Sequence, residues 1–284
     1  MTEPQETELL TLALRAAAEA VQAIMEVYQA DADMGVIQKA DNTPVTRADM
    51  ASNERIVNVL SQSDIPILSE ETAHEEYAVR SNHRQMWVVD PLDGTKEFIK
   101  RNDMFSVCIA LVEDHRPVLG VIALPTAETV YFTKGGNAWR ATLSPCGEAS
   151  DPVRLPIAFG PTPHVVLGSV SHPGEAARRV VDALSKLPAW DDVRLVPMGS
   201  SIKQCMIAEG SASIYPRSGT TMEWDTAAGQ AIIEAAGGKL LNVADSSPVT
   251  YNRPDLRNPD FVAVSNSVTP SILSAAIAAV AAVQ

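Results

Sequence analysis

The chain has 284 residues, 46% hydrophobic and 20% charged, a composition that buries a sizeable core as one large or two smaller domains. A formal net charge of -13 argues against nucleic-acid grooves and anionic membranes as partners, although an acidic protein still binds a phosphate ester where metal ions reverse the local field. Cys108, Cys146 and Cys205 lack CxxC spacing, so neither a disulfide framework nor a zinc site is supported, and a reducing, cytoplasmic compartment fits.

The first residues are acidic, with Glu3, Glu6 and Glu8 where a secretory leader would be basic. No apolar run reaches the length of a membrane span, so no transmembrane segment is expected. Residues 7–29 place Leu10, Leu14, Val21, Ile24, Met25 and Tyr28 at helical spacing. A loop or short hairpin is expected around Asp41-Asn42-Thr43-Pro44. Thr46-Arg47-Ala48-Asp49 has capping-box spacing, with Asp in place of Glu, and opens a helix to about Leu60. Ile65–Leu68 predicts a short strand ending at Ser69-Glu70-Glu71, and the polar residues 72–84 predict a surface loop.

Residues 104–112 and 117–124 read as a strand pair, and Thr129–Thr133 as a further strand before Gly135-Gly136. The Pro-, Ser- and Gly-rich residues 143–163 mark the passage from one subdomain to the next. We place an N-terminal α+β part at residues 1–145 and a C-terminal α/β part at 146–284. In the latter, strands are expected at His164–Val170, Arg194–Val196, Ala212–Tyr215 and Phe261–Val264. Helices are expected at 173–187, after Gly199-Ser200-Ser201, from Asp225 to about Ala236, and after Thr269-Pro270. The mixture favours an α/β fold of layered sheets and helices over a simple βαβ repeat.

Trp87-Val88-Val89-Asp90-Pro91-Leu92-Asp93-Gly94-Thr95 carries the most chemistry. An apolar run reads as a buried strand, ended and bent by Pro91 and Gly94. Asp90 and Asp93 are then held together where water and small ligands reach. Like charges that close require a shared proton or a cation between them, and clustered acidic oxygens suit Mg²⁺. Asp49, Glu70 with Glu71, and Asp225 also stand at predicted element ends. Taken singly, each has a plain structural role as helix-dipole charge, solvated turn or N-cap.

The segment around Asp90 and Asp93 resembles the metal-binding signature of the inositol monophosphatase superfamily of Mg²⁺-dependent, lithium-sensitive phosphomonoesterases. The second signature of that family also appears, as Trp224-Asp225-Thr226-Ala227-Ala228-Gly229. The resemblance runs in order from Pro44-Val45-Thr46-Arg47-Ala48-Asp49 through Ser69-Glu70-Glu71 to Gly237-Gly238. Two ordered signatures about 130 residues apart are far more specific than either alone. Lys96-Glu97-Phe98-Ile99 and Glu223-Trp224-Asp225 resemble the 3′(2′),5′-bisphosphate nucleotidase branch. Ser169-Val170-Ser171-His172 and Gly199-Ser200-Ser201-Ile202-Lys203 sit where that branch carries phosphate contacts, with Val170 where an arginine is often found.

The resemblance implies a sugar-phosphatase architecture and two or three Mg²⁺ per active site. Glu70, Asp90 and the Leu92 carbonyl would hold one ion; Asp90, Asp93 and Asp225 would hold another. Thr95 and Asp49 would orient the attacking water and accept its proton. Leu92, Asp93, Gly94, Thr95, Ser169, His172, Gly199, Lys203 and Asp225 would contact substrate. The implied reaction removes the 3′-phosphate from adenosine 3′,5′-bisphosphate, a by-product of sulfate assimilation, to give AMP and phosphate. An inositol or other sugar monophosphatase is the nearest rival, and a catalytically silent metal or nucleotide sensor the rival from another class. The partner is a small phosphorylated nucleotide rather than nucleic acid. The resemblance is compatible with a homodimer and with peripheral attachment at the inner face of a membrane.

Overall fold

The computed structural model describes residues 1–30, 34–38, 44–157, 164–170 and 174–282. Helix α1 (Glu3–Gln29) leads to the antiparallel pair β1 (Ile37–Gln38) and β2 (Pro44–Val45), then to helix α2 (Arg47–Leu60), strand β3 (Ile67–Ser69) and the short helix α3 (Tyr77–Arg80). Strand β4 (Gln85–Asp93) and helix α4 (Thr95–Ile99) follow. Five strands come next: β5 (Ser106–Glu113), β6 (Arg116–Leu124), β7 (Thr129–Lys134), β8 (Asn137–Leu143) and β9 (Ala149–Arg154). Beyond them lie β10 (Val165–Ser169), α5 (Glu175–Leu184), β11 (Arg194–Met198), α6 (Ile202–Glu209), β12 (Ile214–Arg217), α7 (Ala227–Ala235), β13 (Lys239–Asn242), β14 (Phe261–Val264) and α8 (Pro270–Ala281).

The strands β3 to β9 form one seven-stranded sheet in sequence order, parallel between β3 and β4 and antiparallel elsewhere. A five-stranded sheet has the order β11-β10-β12-β14-β13, parallel across its first three strands. Alternation along each strand gives each sheet two apolar faces, which helices must cover. Helices α1 and α2 cover one face of the large sheet, around Trp87, Val89, Ile109 and Leu111. Helices α6 and α7 lie between the sheets with Val88, Cys108, Ile122 and Phe261. Helices α5 and α8 cover the outer face of the small sheet around Val166, Val180 and Val262. The result is a layered α-β-α-β-α sandwich.

The helices carry the expected local signals. Gln5 Oε1 accepts from the Thr2 N–H at the start of α1, and Ala13, Ala16, Ala17 and Ala20 are buried, which lets α2 approach closely. At α2, Thr46 Oγ1 accepts from the Ala48 N–H while Asp49 Oδ2 accepts from the Thr46 N–H, a capping box with Asp in the Glu position. The loop expected at 72–84 contains one helical turn, α3, held where Arg80 donates to Asn252 Oδ1 and to the Arg253 carbonyl. The centre of the hairpin expected near Asp41–Thr43 lies outside the described residues.

One expectation is corrected. Pro91 does not end the strand, because β4 runs on to Asp93. Asp90 pairs with Cys108 and Asp93 with Ser106, so three steps on β4 match two on β5. This is a bulge, which tolerates a proline because the ladder is already broken there. The unpaired Pro91 carbonyl accepts from Ser52 Oγ at 2.7 Å. In a regular strand, residues three apart face opposite sides. The extra residue returns Asp93 to the face that carries Asp90, while Leu92 joins the core under α1.

Candidate active site

The bulge delivers both carboxylates to the space between the sheets, where other element ends meet them. Asp49 comes from the first turn of α2, Glu70 from the residue after β3, and Thr95 from the first residue of α4. Asp225 sits in the 3₁₀ turn Glu223–Asp225 that precedes α7. Gly94 turns the chain from β4 into α4 at φ +98°, a left-handed conformation that suits glycine, and a Cβ there would lie 2.9 Å from the Met104 carbonyl oxygen. Ser200 and Ser201 enter from the turn before α6.

Asp49 is 2% exposed. Its Oδ2 accepts from the Thr46 N–H at 2.8 Å and from Thr46 Oγ1 at 2.6 Å, and its Oδ1 accepts from Thr95 Oγ1 at 3.0 Å. Burial pushes the Asp49 carboxyl above the usual range, and the bonds from Thr46 and Thr95 partly restrain that rise. Asp90, also 2% exposed, accepts the Leu92 N–H on Oδ1 at 3.0 Å. Desolvation first, then the charges of Glu70, Asp93, Asp225 and Asp49, push its carboxyl well above the ordinary range. Asp225 is pushed up by burial and then by Asp93. Its Oδ2 accepts from the Met222 N–H at 2.8 Å. Asp93 Oδ2 accepts from Ser201 Oγ at 2.6 Å, from Ser200 Oγ at 3.0 Å and from the Ser201 N–H.

Five carboxylates thus share one field, and ionising them together is unfavourable without positive charge. Among the described residues, no group of three or more His, Cys, Asp or Glu side chains is disposed to hold an ion as the side chains stand. Asp93 and Asp225 each turn one oxygen onto protein donors. No hydrogen bond among the described residues reaches Asp93 Oδ1, Asp225 Oδ1 or Asp90 Oδ2. An all-oxygen set of this charge, with one oxygen each of Asp90, Asp93 and Asp225 remaining, suits a hard cation.

A pocket of about 190 Å³ opens beside these carboxylates. Asp93, Glu97 and Asp225 line it together with Lys96, Lys203 and Arg217, which bring positive charge, and with Ser169, Gly94 and Gly199. Ser169, Gly199 and Lys203, which the resemblance implies as substrate contacts, line this one pocket. His172 lies outside the described residues. The Lys203 ammonium donates to the carbonyls of Ser200 (2.6 Å) and Met198 (3.2 Å) and lies 5.2 Å from the centre of the Tyr215 ring. Burial lowers its pKa to about 8. Trp224 is a core residue against His74 rather than a pocket wall. A larger groove, about 1100 Å³, runs along the N-terminal half of α1 and contains none of these residues.

Arg217 escaped the sequence reading. It ends β12 inside the pocket, donates to the Thr220 carbonyl at 3.3 Å, and lowers the pKa of Lys203 by its charge. Tyr215-Pro216-Arg217 carries no motif that would single it out. Ser201 and Gln204 were also missed in their bonding roles, which only the meeting of α6 with β4 reveals.

The layered fold and the relatives that share it define a phosphatase. A family model described as the inositol monophosphatase family matches residues 5–283. The 3′(2′),5′-bisphosphate nucleotidase CysQ of Escherichia coli K12 is 40% identical over 243 residues, 84% of this chain and 92% of that protein. The protein of the same name from Buchnera aphidicola is 40% identical over 237 residues, 80% of this chain and 84% of its own. The crystal structure of CysQ from Bacteroides thetaiotaomicron superposes with a TM-score of 0.80 at 39% identity, covering 90% of this chain and 97% of that one. SuhB from Bartonella henselae shares the fold at a TM-score of 0.71 and 20% identity, covering 95% and 98%. The chain belongs to the inositol monophosphatase family.

Proposed function

We propose that the chain is a Mg²⁺-dependent phosphatase that removes the 3′-phosphate of adenosine 3′,5′-bisphosphate, giving AMP and phosphate. The observation that carries this reading is the mixed lining of the pocket. Carboxylates that suit cations share it with Lys96, Lys203 and Arg217, which suit a second anionic group. A substrate with one phosphate would leave one of these two sets unused. The names of the CysQ relatives point to the same substrate class.

Glu70, Asp90, Asp93, Asp225 and the Leu92 carbonyl would hold the metal ions. When bound, Mg²⁺ supplies neutralisation of phosphate charge and lowers the pKa of a water. The chain's own residues do the rest. Thr46 occupies Asp49 Oδ2 twice and leaves Oδ1 to Thr95. The Thr95 hydroxyl can pass its proton to Asp49 while it takes one from the attacking water. The raised pKa of Asp49 favours that acceptance, because a base works best near the operating pH. Phosphoryl transfer depends mainly on alignment and charge neutralisation, so no side-chain nucleophile is required. The Gly94 and Thr95 N–H groups, at the turn into α4, would grip the phosphate.

Turnover of adenosine 3′,5′-bisphosphate and of inositol 1-phosphate by the purified protein, with Mg²⁺ varied, tests the assignment. The expected result is a strong preference for the nucleotide and no release of phosphate after chelation. A preference for inositol phosphate would assign the site to the sugar monophosphatases instead. Undiminished phosphate release by Asp90→Asn would overturn the metal-assisted mechanism.

A further inference from the structure

The turn before α6 and the turn before α7 are joined by a buried chain of hydrogen bonds. Gln204, on α6 and 4% exposed, donates from Nε2 to the main-chain oxygen of Asp225 at 2.7 Å and to Ser201 Oγ at 3.2 Å. Ser201, 1% exposed, donates from Oγ to Asp93 Oδ2 at 2.6 Å and adds its own N–H to the same oxygen. Both amide protons of Gln204 are used. The Ser201 hydroxyl, accepting from Gln204, has two acceptors in reach, Asp93 Oδ2 at 2.6 Å and the Asp225 main-chain oxygen at 3.3 Å, of which the nearer carboxylate takes its single proton. The direction of the Gln204 bonds is thereby fixed. Flipping the amide would set Oε1 against the Asp225 carbonyl oxygen, acceptor against acceptor.

Stability alone gives a poor account of this glutamine. Its Oε1 makes no hydrogen bond among the described residues, and a buried polar atom in that state costs on the order of 1–3 kcal/mol. An aliphatic side chain would fill the same space without that cost. The site is also specially cleared. A Cβ on Gly229 would overlap Gln204 Oε1 and Cδ and come within 2.8 Å of its Cβ. Gly229, inside α7, is the residue that leaves room for the amide.

We propose that Ser201 and Gln204 are positioning residues that lock Asp93 and Asp225 into one cation site, with Gly229 providing the space the brace needs. This rests on the metal-binding reading of those carboxylates. Ser201 holds Asp93 Oδ2 and so presents Oδ1. Gln204 ties the turn carrying Asp225 to Ser201, which sets the separation of the two carboxylates. Neither residue touches the reacting atoms.

Mn²⁺, a hard oxygen-preferring probe, is titrated calorimetrically into the full chain and into Ser201→Ala, Gln204→Met and Gly229→Ala, and each melting temperature is recorded with and without the ion. Gln204→Met keeps the volume and removes both donors. Loss of a group that orients a metal ligand typically weakens binding about 10–100-fold. We expect a loss of at least about tenfold for all three variants, with kcat regained at high metal concentration. Gly229→Ala is expected to add less in a Gln204→Ala background than in the parent, because the overlap with Oε1 and Cδ is gone and only the 2.8 Å approach to the Cβ at position 204 remains. A role confined to packing would lower the metal-free melting temperature and leave Mn²⁺ affinity within about twofold of the parent, which overturns the proposal. Absence of Mn²⁺ uptake by the unaltered protein would remove the metal-site reading itself and the brace with it, an outcome distinguishable because it appears without any substitution.

Discussion

Thr95 Oγ1 donates to Asp49 Oδ1 at 3.0 Å, joining the first residue of α4 to the first turn of α2 across 46 positions of sequence. The bond has one available geometry, because Thr46 occupies the other carboxylate oxygen with two donors. The helix cap holds the carboxylate against rotation and partly offsets the rise in its pKa caused by burial, and under the proposed mechanism it would thereby also set the chemistry of the base.

Thr46→Ala separates these effects. The main-chain N–H remains, and the hydroxyl bond, which lowers the Asp49 pKa, is lost. The Asp49 carboxyl therefore rises further. Since activity requires the ionised base, the acid limb of kcat/KM is expected to move to higher pH, while the rate at the plateau falls less than for Asp49→Asn. Loss of the cap costs roughly 0.5–2 kcal/mol of stability. A pH–rate profile beside a urea titration checks both. An unmoved acid limb would remove Asp49 from the role of base.

Lys203 carries a pH signature of opposite sign. Burial lowers its pKa from 10.5 to about 8. Below about pH 8 the folded chain carries the buried charge and its full desolvation cost. Between about 8 and 10.5 the folded state gives up its proton before the unfolded state does, so stability rises with pH across that window. Binding follows the charge instead. kcat/KM for the bisphosphate, which reports the free enzyme, is expected to fall as pH passes about 8. In Lys203→Arg the guanidinium stays charged, and this basic limb should disappear even where the absolute rate drops. Persistence of the limb would place the titration elsewhere.

Arg217 is the less buried counterpart, half-buried at the pocket with an anion-binding fork. Arg217→Ala removes a charge-assisted contact worth about 1.5–3 kcal/mol. The expected result is a loss of roughly 10–100-fold in kcat/KM for the bisphosphate, chiefly in KM, with a much smaller loss for a nucleoside 3′-monophosphate. Equal losses on the two substrates would move the second-phosphate site away from Arg217.

The contrast between these residues explains what a linear reading recovers. Asp49, Glu70, Asp90, Asp93, Thr95 and Asp225 stand in short motifs next to turn residues, so local pattern places them at element ends. Strand pairs such as β5 with β6, and the capped start of α2, follow from alternation and capping chemistry within a few residues. The bulge in β4 does not, because the register of Asp90 and Asp93 is set by their partners on β5 and not by Pro91. β13, Lys-Leu-Leu-Asn, has no β-branched or aromatic residue to signal a strand and exists as one because it pairs with β14. Arg217, Ser201 and Gln204 act through residues from other elements, and no spacing within the chain encodes such a meeting.

Gly120 tests whether the site depends on the depth at which α7 is set against the large sheet. This residue of β6 faces α7, where an added Cβ would collide with the Ala228 carbonyl oxygen and stand 3.0 Å from Ala231 Cβ. Both partners belong to a buried helix that cannot yield by a rotamer change, so Gly120→Ala must push the helix outward or strain it. Overpacking of this kind costs about 1–3 kcal/mol, read as a lower urea midpoint at unchanged slope. Because Asp225 enters α7 through a single turn, the displacement should also weaken metal activation, visible as a raised Mg²⁺ requirement. Gly135 supplies the control: a Cβ there meets nothing within 4 Å, and Asn tolerates its positive φ of +59°. Gly135→Asn is expected to change stability by no more than about 0.5 kcal/mol and to leave the Mg²⁺ requirement unaltered. If Gly120→Ala shifted the urea midpoint alone, the sheet–helix contact would be a matter of stability with no bearing on where Asp225 stands.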